Sequence, residues 1–194
     1  MNFSNSKYII IGGSAGSFRV ITRLLSELPE DFPLPIILCL HRLKHIRTGF
    51  VEALQLKSKI KVKEPFDKEN IRRGNIYLAP ANYHLLIELG NTFSLSVSPY
   101  LNHSRPSIDL SFESAADTFK SKLIGILLSG ANKDGANGIK SVKNNGGITV
   151  VQKPSECQSP TMTKAAIETG KVDLEYGIDE IAQLFNQIYK QKAI

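Results

Sequence analysis

Residues 8–17, YIIIGGSAGS, constrain the fold of this chain more than any other stretch. An apolar run of strand length halts at two glycines, presents Ser14, and turns into the amphipathic segment 18–28. The sequence Gly12-Gly13-Ser14-Ala15-Gly16 fits G-x-S-x-G, a sharp strand-to-helix turn that can hold a serine hydroxyl out at the end of a sheet. Glycine suits such a turn because it tolerates unusual backbone angles and lets other groups come close. A dinucleotide-binding turn would want glycine at 12, 14 and 17, and Ser14 and Ser17 hold two of those places. Taken alone, the segment fits a serine nucleophile, an anion-binding loop or a plain tight turn.

The rest of the chain repeats the pattern. The apolar run 36–40 ends at His41, and a strand, a helix and a second strand within ~40 residues make a right-handed βαβ unit. Residues 43–56 read as a helix. In 57–63 four lysines alternate with Ser58, Ile60 and Val62, which predicts a charged strand near a sheet edge. Segments 76–80, 83–88 and 92–97 read as three short strands in antiparallel hairpins. A helix is expected over 107–119 with Ser107 as its N-cap. A third buried strand, 123–128, runs into the polar, glycine-rich turn 129–138 and a helix to about 145. A fourth strand is expected at 147–151, and further helices at 160–169 and 178–190. These elements predict one α/β domain over 1–194, a three-layer, doubly wound, mostly parallel sheet with helices on both faces and a small antiparallel hairpin addition.

Bulk properties narrow the class. At 194 residues with 42% hydrophobic and 22% charged content, the chain can bury a large core without metal or disulfide support. Its two cysteines, Cys39 and Cys157, have no metal-ligand spacing; Cys39 lies in an apolar strand, and a reducing, cytoplasmic location is expected. No signal peptide is visible and no apolar run nears the ~20 residues that span a bilayer, so membrane insertion is not expected. The net charge of +6 fits a solvated surface first, an acidic protein partner next and nucleic acid least, because the basic residues are scattered and not interleaved with aromatics.

Open parallel sheets carry their working residues outside the carboxyl ends of the strands. Three ends are marked here by Ser14, His41 and Asp134, the parts of a nucleophilic triad. A nucleotide-binding domain would place an acid where His41 stands. The order Ser…His…Asp also differs from the Ser…Asp/Glu…His of α/β-hydrolases, so this would be another scaffold with the same chemistry. Each part has a plainer reading: His41 as a hydrogen-bonding histidine, Asp134 as the cap of the helix it precedes, His84 as a structural residue, and His45 and His103 as surface or loop residues.

Several motifs together resemble the catalytic domain of the chemotaxis protein-glutamate methylesterases (CheB). They are Gly12–Gly16, the strand ending in His41, Gly74–Pro80, His84-Leu-Leu, Arg105–Asp109, Leu128–Gly138 and the stretch from Gln152 to Ile167. The resemblance runs in order from about residue 7 to 188. It implies a cofactor-free serine hydrolase of γ-glutamyl methyl esters on chemoreceptor helices, which in many members also deamidates receptor glutamines; the alternatives are a non-catalytic regulatory or binding protein on the same scaffold and a carboxylesterase with another substrate. Ser14 is then the nucleophile, His41 the general base and Asp134 its orienting acid. The backbone N–H groups of Ala15 and Ala131 match the oxyanion hole, and Gly13, Ser17, His84 and Asn132 are candidates for lining the site; no metal is implied. Ala15, Ser17 and Ala131 stand where the family usually has threonine, glycine and methionine. The family's familiar arrangement has a phospho-acceptor receiver domain before this one. Its absence here leaves three expectations open: constitutive activity, control in trans by a separate response regulator, or a different methylated protein as substrate. A basic approach surface formed by Arg42, Lys44, Arg72 and Arg73 is expected to speed encounter with acidic receptor helices.

Overall fold

Ile9, Ile10 and Ile11 are all buried, which a strand achieves only with a packed layer on each face. The computed structural model describes residues 2–42 and 49–192 and shows both layers. Its strands are Tyr8–Gly13 (β1), Ile36–Leu40 (β2), Lys61–Lys63 (β3), Asn75–Leu78 (β4), His84–Glu88 (β5), Thr92–Ser96 (β6), Leu123–Leu127 (β7), Ile148–Gln152 (β8) and Leu174–Tyr176 (β9). Its α-helices are Ser17–Glu27 (α1), Phe50–Gln55 (α2), Ile108–Phe119 (α3), Ala136–Asn144 (α4), Thr161–Glu168 (α5) and Ile178–Lys192 (α6). Seven strands pair in the order β3-β4-β2-β1-β7-β8-β9, with every neighbour parallel. The expected α/β sandwich is therefore present, with three more parallel strands than the sequence showed.

Period two sorts the core. Ile9 and Ile11, Ile36 and Leu38, and Ile124 and Ile126 pack with Ile21 and Leu25 of α1 and Leu184 and Phe185 of α6. Ile10, Ile37 and Leu127 face the other way, onto Phe112 of α3, Ile139 of α4 and Met162 of α5. Truncating one of these fully buried side chains to alanine costs about 2–5 kcal/mol, so either layer is essential to the sheet.

One expectation is corrected, the hairpin place of 76–80. Asn75–Leu78 was expected in a hairpin and instead lies between β2 and β3. Ile76, Tyr77 and Leu78 are all buried, so this strand needs cover on both faces, whereas β5 and β6 alternate and form the hairpin alone. That hairpin is the cover: Phe93 of β6 packs on Tyr77 with ring centroids 4.8 Å apart. The lysine-rich segment does occupy a sheet edge, but only Lys61–Lys63 is strand. Of the helix expected over 43–56, Phe50–Gln55 is helical and residues 43–48 lie outside the described residues. The strand β9 went unread because Leu174-Glu-Tyr176 is a short edge strand without an apolar run.

Candidate active site

In sheet order the chain departs from β1 in both directions, toward β2 on one side and β7 on the other. A crevice opens at such a switch point. Ser14 stands at its floor, half-buried, with its N–H donating to Ser129 O across the crevice at 2.9 Å. Ser17 ties the turn from behind: its N–H and its hydroxyl both donate to Ser14 O, at 3.0 and 2.7 Å. Gly16 has φ +84°, and a Cβ there would sit 2.5 Å from Gln158 Cβ, so the turn requires glycine. Ser129, buried and unnoticed in the sequence, donates its hydroxyl to Ala15 O at 2.7 Å and accepts from Ser159 N at 3.0 Å. Ala15 and Ala131 are both exposed, and neither N–H finds an acceptor among the described residues.

His41 is placed by the sheet itself. Its N–H donates to Gly13 O at 3.1 Å, so it sits beside Ser14 on the neighbouring strand end. Its side chain is 13% exposed, and its Nε2 lies 2.8 Å from Asp134 Oδ2. With Nε2–H donating to the carboxylate, Nδ1 is the basic nitrogen; Ser104 Oγ lies 3.4 Å from it.

The carboxylate of Asp134 is fully buried and saturated with donors. Oδ2 accepts from His41 and from Ile108 N at 2.8 Å, while Oδ1 accepts from Ser107 Oγ, Asp109 N and Asn102 Nδ2 at 3.0–3.1 Å. Three of these donors belong to the start of α3. The acid therefore caps α3, at the positive end of its helix macrodipole, and not the helix that follows it. That second helix, α4, is capped by Asp109, whose Oδ1 accepts from Gly135 N and Gly138 N at 2.8 Å. The two aspartates exchange helices, and Asn102 Nδ2 bridges them, 3.0 Å from Asp109 Oδ2. Burial, the largest influence on Asp134, pushes its pKa up, but the hydrogen bonds from His41, Asp109 N and Ile108 N outweigh it and hold the pKa below the usual carboxylate value. For Asp109 burial wins, helped by the charge on Asp134, and the pKa is raised.

The remaining site candidates separate. Gly13 and Ser17 form the inside of the turn; Ser17 is buried and lines nothing. His84 is buried as well: its Nδ1 accepts from Ser107 N at 3.2 Å and its Nε2 donates to Pro99 O at 3.0 Å, so it braces the loop before α3. Asn132 stays at the site, accepting Asp134 N–H on Oδ1 at 3.2 Å. His103 is exposed in the loop beside His41, and His45 lies outside the described residues. Cys39 is buried among Ser107 and Ser111, and burial pushes its thiol up to about 12.

Among the described residues the expected basic approach surface does not form. Arg42 is 1% exposed, bonded to Glu64 at 2.6 Å and to Ala79 O at 2.8 Å, and laid over the Phe50 ring. Arg72 and Arg73 precede β4 and so lie at the amino ends of the parallel strands, opposite Ser14. Lys44 lies outside the described residues.

A mostly parallel α/β sandwich with a serine-bearing turn, a histidine and a buried acid at neighbouring strand ends has the layout of a serine hydrolase. Comparison with known proteins gives the particular family. Residues 9–185 match the CheB methylesterase family, and the chain belongs to it. A Leptospira interrogans relative is 43% identical over 181 residues, covering 93% of this chain and 94% of its own. A Clostridium acetobutylicum relative, named protein-glutamate methylesterase/protein-glutamine glutaminase, is 36% identical over 90% of this chain, which spans 50% of its length. The crystal structure of the Thermotoga maritima CheB methylesterase catalytic domain superposes with a TM-score of 0.89 at 31% identity, covering 94% of this chain and 98% of that one. Among the described residues no helix is long and apolar enough to cross a membrane.

Proposed function

We propose that this chain hydrolyses glutamate γ-methyl esters on the cytoplasmic helices of chemoreceptors, with Ser14, His41 and Asp134 as its catalytic triad. The observation that carries the reading is the 2.8 Å contact between His41 Nε2 and an Asp134 carboxylate seated on the N-terminus of α3. An acid held ionised there fixes the imidazole with Nδ1 as the base and stabilises the imidazolium that forms.

The hydroxyl proton of Ser14 passes to His41 Nδ1 as Oγ bonds to the ester carbonyl. Negative charge on the carbonyl oxygen is met by the free N–H groups of Ala15 and Ala131, donors of a kind that contributes about 2.7–4 kcal/mol each. The tetrahedral adduct collapses, the C–O bond breaks, and methanol leaves with the proton from His41. Water then adds to the acyl-serine by the same route, returning the glutamate carboxylate and the Ser14 hydroxyl. The same cycle on a glutamine releases ammonia, in keeping with the second activity in the relatives' names. No step calls for a metal or organic cofactor. Control by a separate response regulator, and a cytoplasmic setting in which Cys39 and Cys157 stay as thiols, belong to this reading.

The test is methanol release from methylated receptor, wild type against Ser14→Ala. The variant is expected to lose at least about 10³-fold in kcat. Equal release by both proteins would defeat the Ser14 mechanism.

A further inference from the structure

Beside the triad lies a groove that the hydrolytic chemistry does not use. It encloses about 480 Å3 and is lined by Glu64, Asn82, Tyr83, Val97, Tyr100 and Arg105 among others, the Glu64 carboxylate being paired with Arg42. A smaller notch of about 80 Å3, lined by His41, Tyr100, Ser104 and Arg105 among others, adjoins it through the shared Tyr100 and Arg105. The groove therefore leads to the imidazole of His41.

Two properties of its walls need a ligand to explain them. Tyr83, Val97 and Tyr100 are 40, 67 and 42% exposed, an apolar and aromatic surface along the groove. Arg105 stands among them carrying an unmatched charge. Its Nη1 donates to Val97 O and Ser98 O at 2.7 and 3.1 Å, its guanidinium lies 4.6 Å over the Tyr100 ring, and no carboxylate pairs with it among the described residues. Arg42, in the adjoining notch, is by contrast matched by Glu64. Asn82 adds a buried Oδ1 with no donor among the described residues.

We infer that this groove docks the substrate segment next to the esterified glutamate, an acidic amphipathic helix that places an apolar side chain on Tyr83 and Val97 and a carboxylate near Arg105. Residues one turn apart on a helix stand about 5–6 Å from each other on the same face, so a helix that presents the ester to the site also presents its neighbours toward the groove. The inference deepens the methylesterase reading and rests on it.

Binding tests it apart from turnover. A fluorescent amphipathic helical peptide, with a central glutamine in place of the ester and leucine and glutamate one turn away, is titrated with Ser14→Ala protein. Adding Tyr83→Ser or Val97→Glu is expected to raise Kd about tenfold, as loss of an interface anchor does. Leu89→Ser at the distant β5–β6 turn is expected to leave Kd unchanged, and a peptide with lysine in place of the flanking glutamates is expected to bind at least tenfold more weakly. Kd changes below twofold in both groove variants, no peptide binding by the Ser14→Ala protein, or equal affinity for the lysine peptide would each overturn the groove. Peptide binding with these preferences but no methanol release by the wild type would instead overturn the methylesterase reading.

Discussion

At the scale of single residues, Asp134 decides how the site responds to pH. Its carboxylate is more acidic folded than unfolded, so the stability it contributes is fully present above the unfolded value of about 3.9. That stability is lost as pH falls through the lower folded value. Asp109 works in the opposite sense: its raised pKa contributes most below the unfolded value and loses that contribution as pH rises through the folded one. In urea melts from pH 6 downward, the stability difference between wild type and Asp134→Ala is expected to narrow once the pH passes below about 4, with a limiting slope of roughly 1.4 kcal/mol per pH unit. A constant difference would show that the carboxylate is not held ionised by its partners. Ser14, His41 and Asp134 were legible in the sequence because each follows an apolar run at the place where parallel sheets expose side chains. Ser129, Asn102 and the capping role of Asp109 were not, because a hydroxyl or amide in a polar loop carries no periodic signal. Their partners come from distant turns that only the fold brings near.

At the scale of elements, the turn between β1 and α1 concentrates the requirements of the site. Gly16→Ala would force a left-handed residue and a 2.5 Å approach to Gln158 at once. The variant is expected to lose about 1–3 kcal/mol in chemical denaturation, with a larger relative loss of esterase activity as Ser14 shifts. Unchanged stability would mean that the Gln158 loop yields freely. The paired helices α3 and α4 are a second such unit, and their starts were only half legible. Ser107 was visible as an N-cap, and it does accept from Leu110 N at 3.4 Å. That Asp134 would serve α3 while Asp109 serves α4 depends on the docking angle of the two helices, which amphipathic periodicity leaves open. The strand β4 teaches the same lesson: turn residues around it suggested a hairpin, while its burial on both faces belongs to a central parallel strand.

For the whole molecule, the direction of the parallel strands separates basic residues near their carboxyl ends, on the side of Ser14, from those near their amino ends. Arg19 and Lys133 are exposed in the segments that follow Ser14 and β7, whereas Arg72 and Arg73 lie at the far end. Neutralising Arg19 and Lys133 together is expected to lower kcat/KM on an acidic receptor helix about threefold to tenfold at low salt and to flatten its salt dependence. Neutralising Arg72 and Arg73 is expected to do neither, and equal effects at both ends would point to net charge alone. Formal charge was legible from composition, but its distribution required knowing which end of each strand a residue occupies. The exchange of caps between α3 and α4 also has a consequence for the chain as it is made. A nascent polypeptide extended only through β6 already holds Ser14 and His41, but the acid that orients the imidazole has not been synthesised, nor have the α3 amides that keep it charged. The order of segments thus holds the proposed ester-cleaving chemistry silent on the ribosome until β7 and the loop after it have emerged and docked.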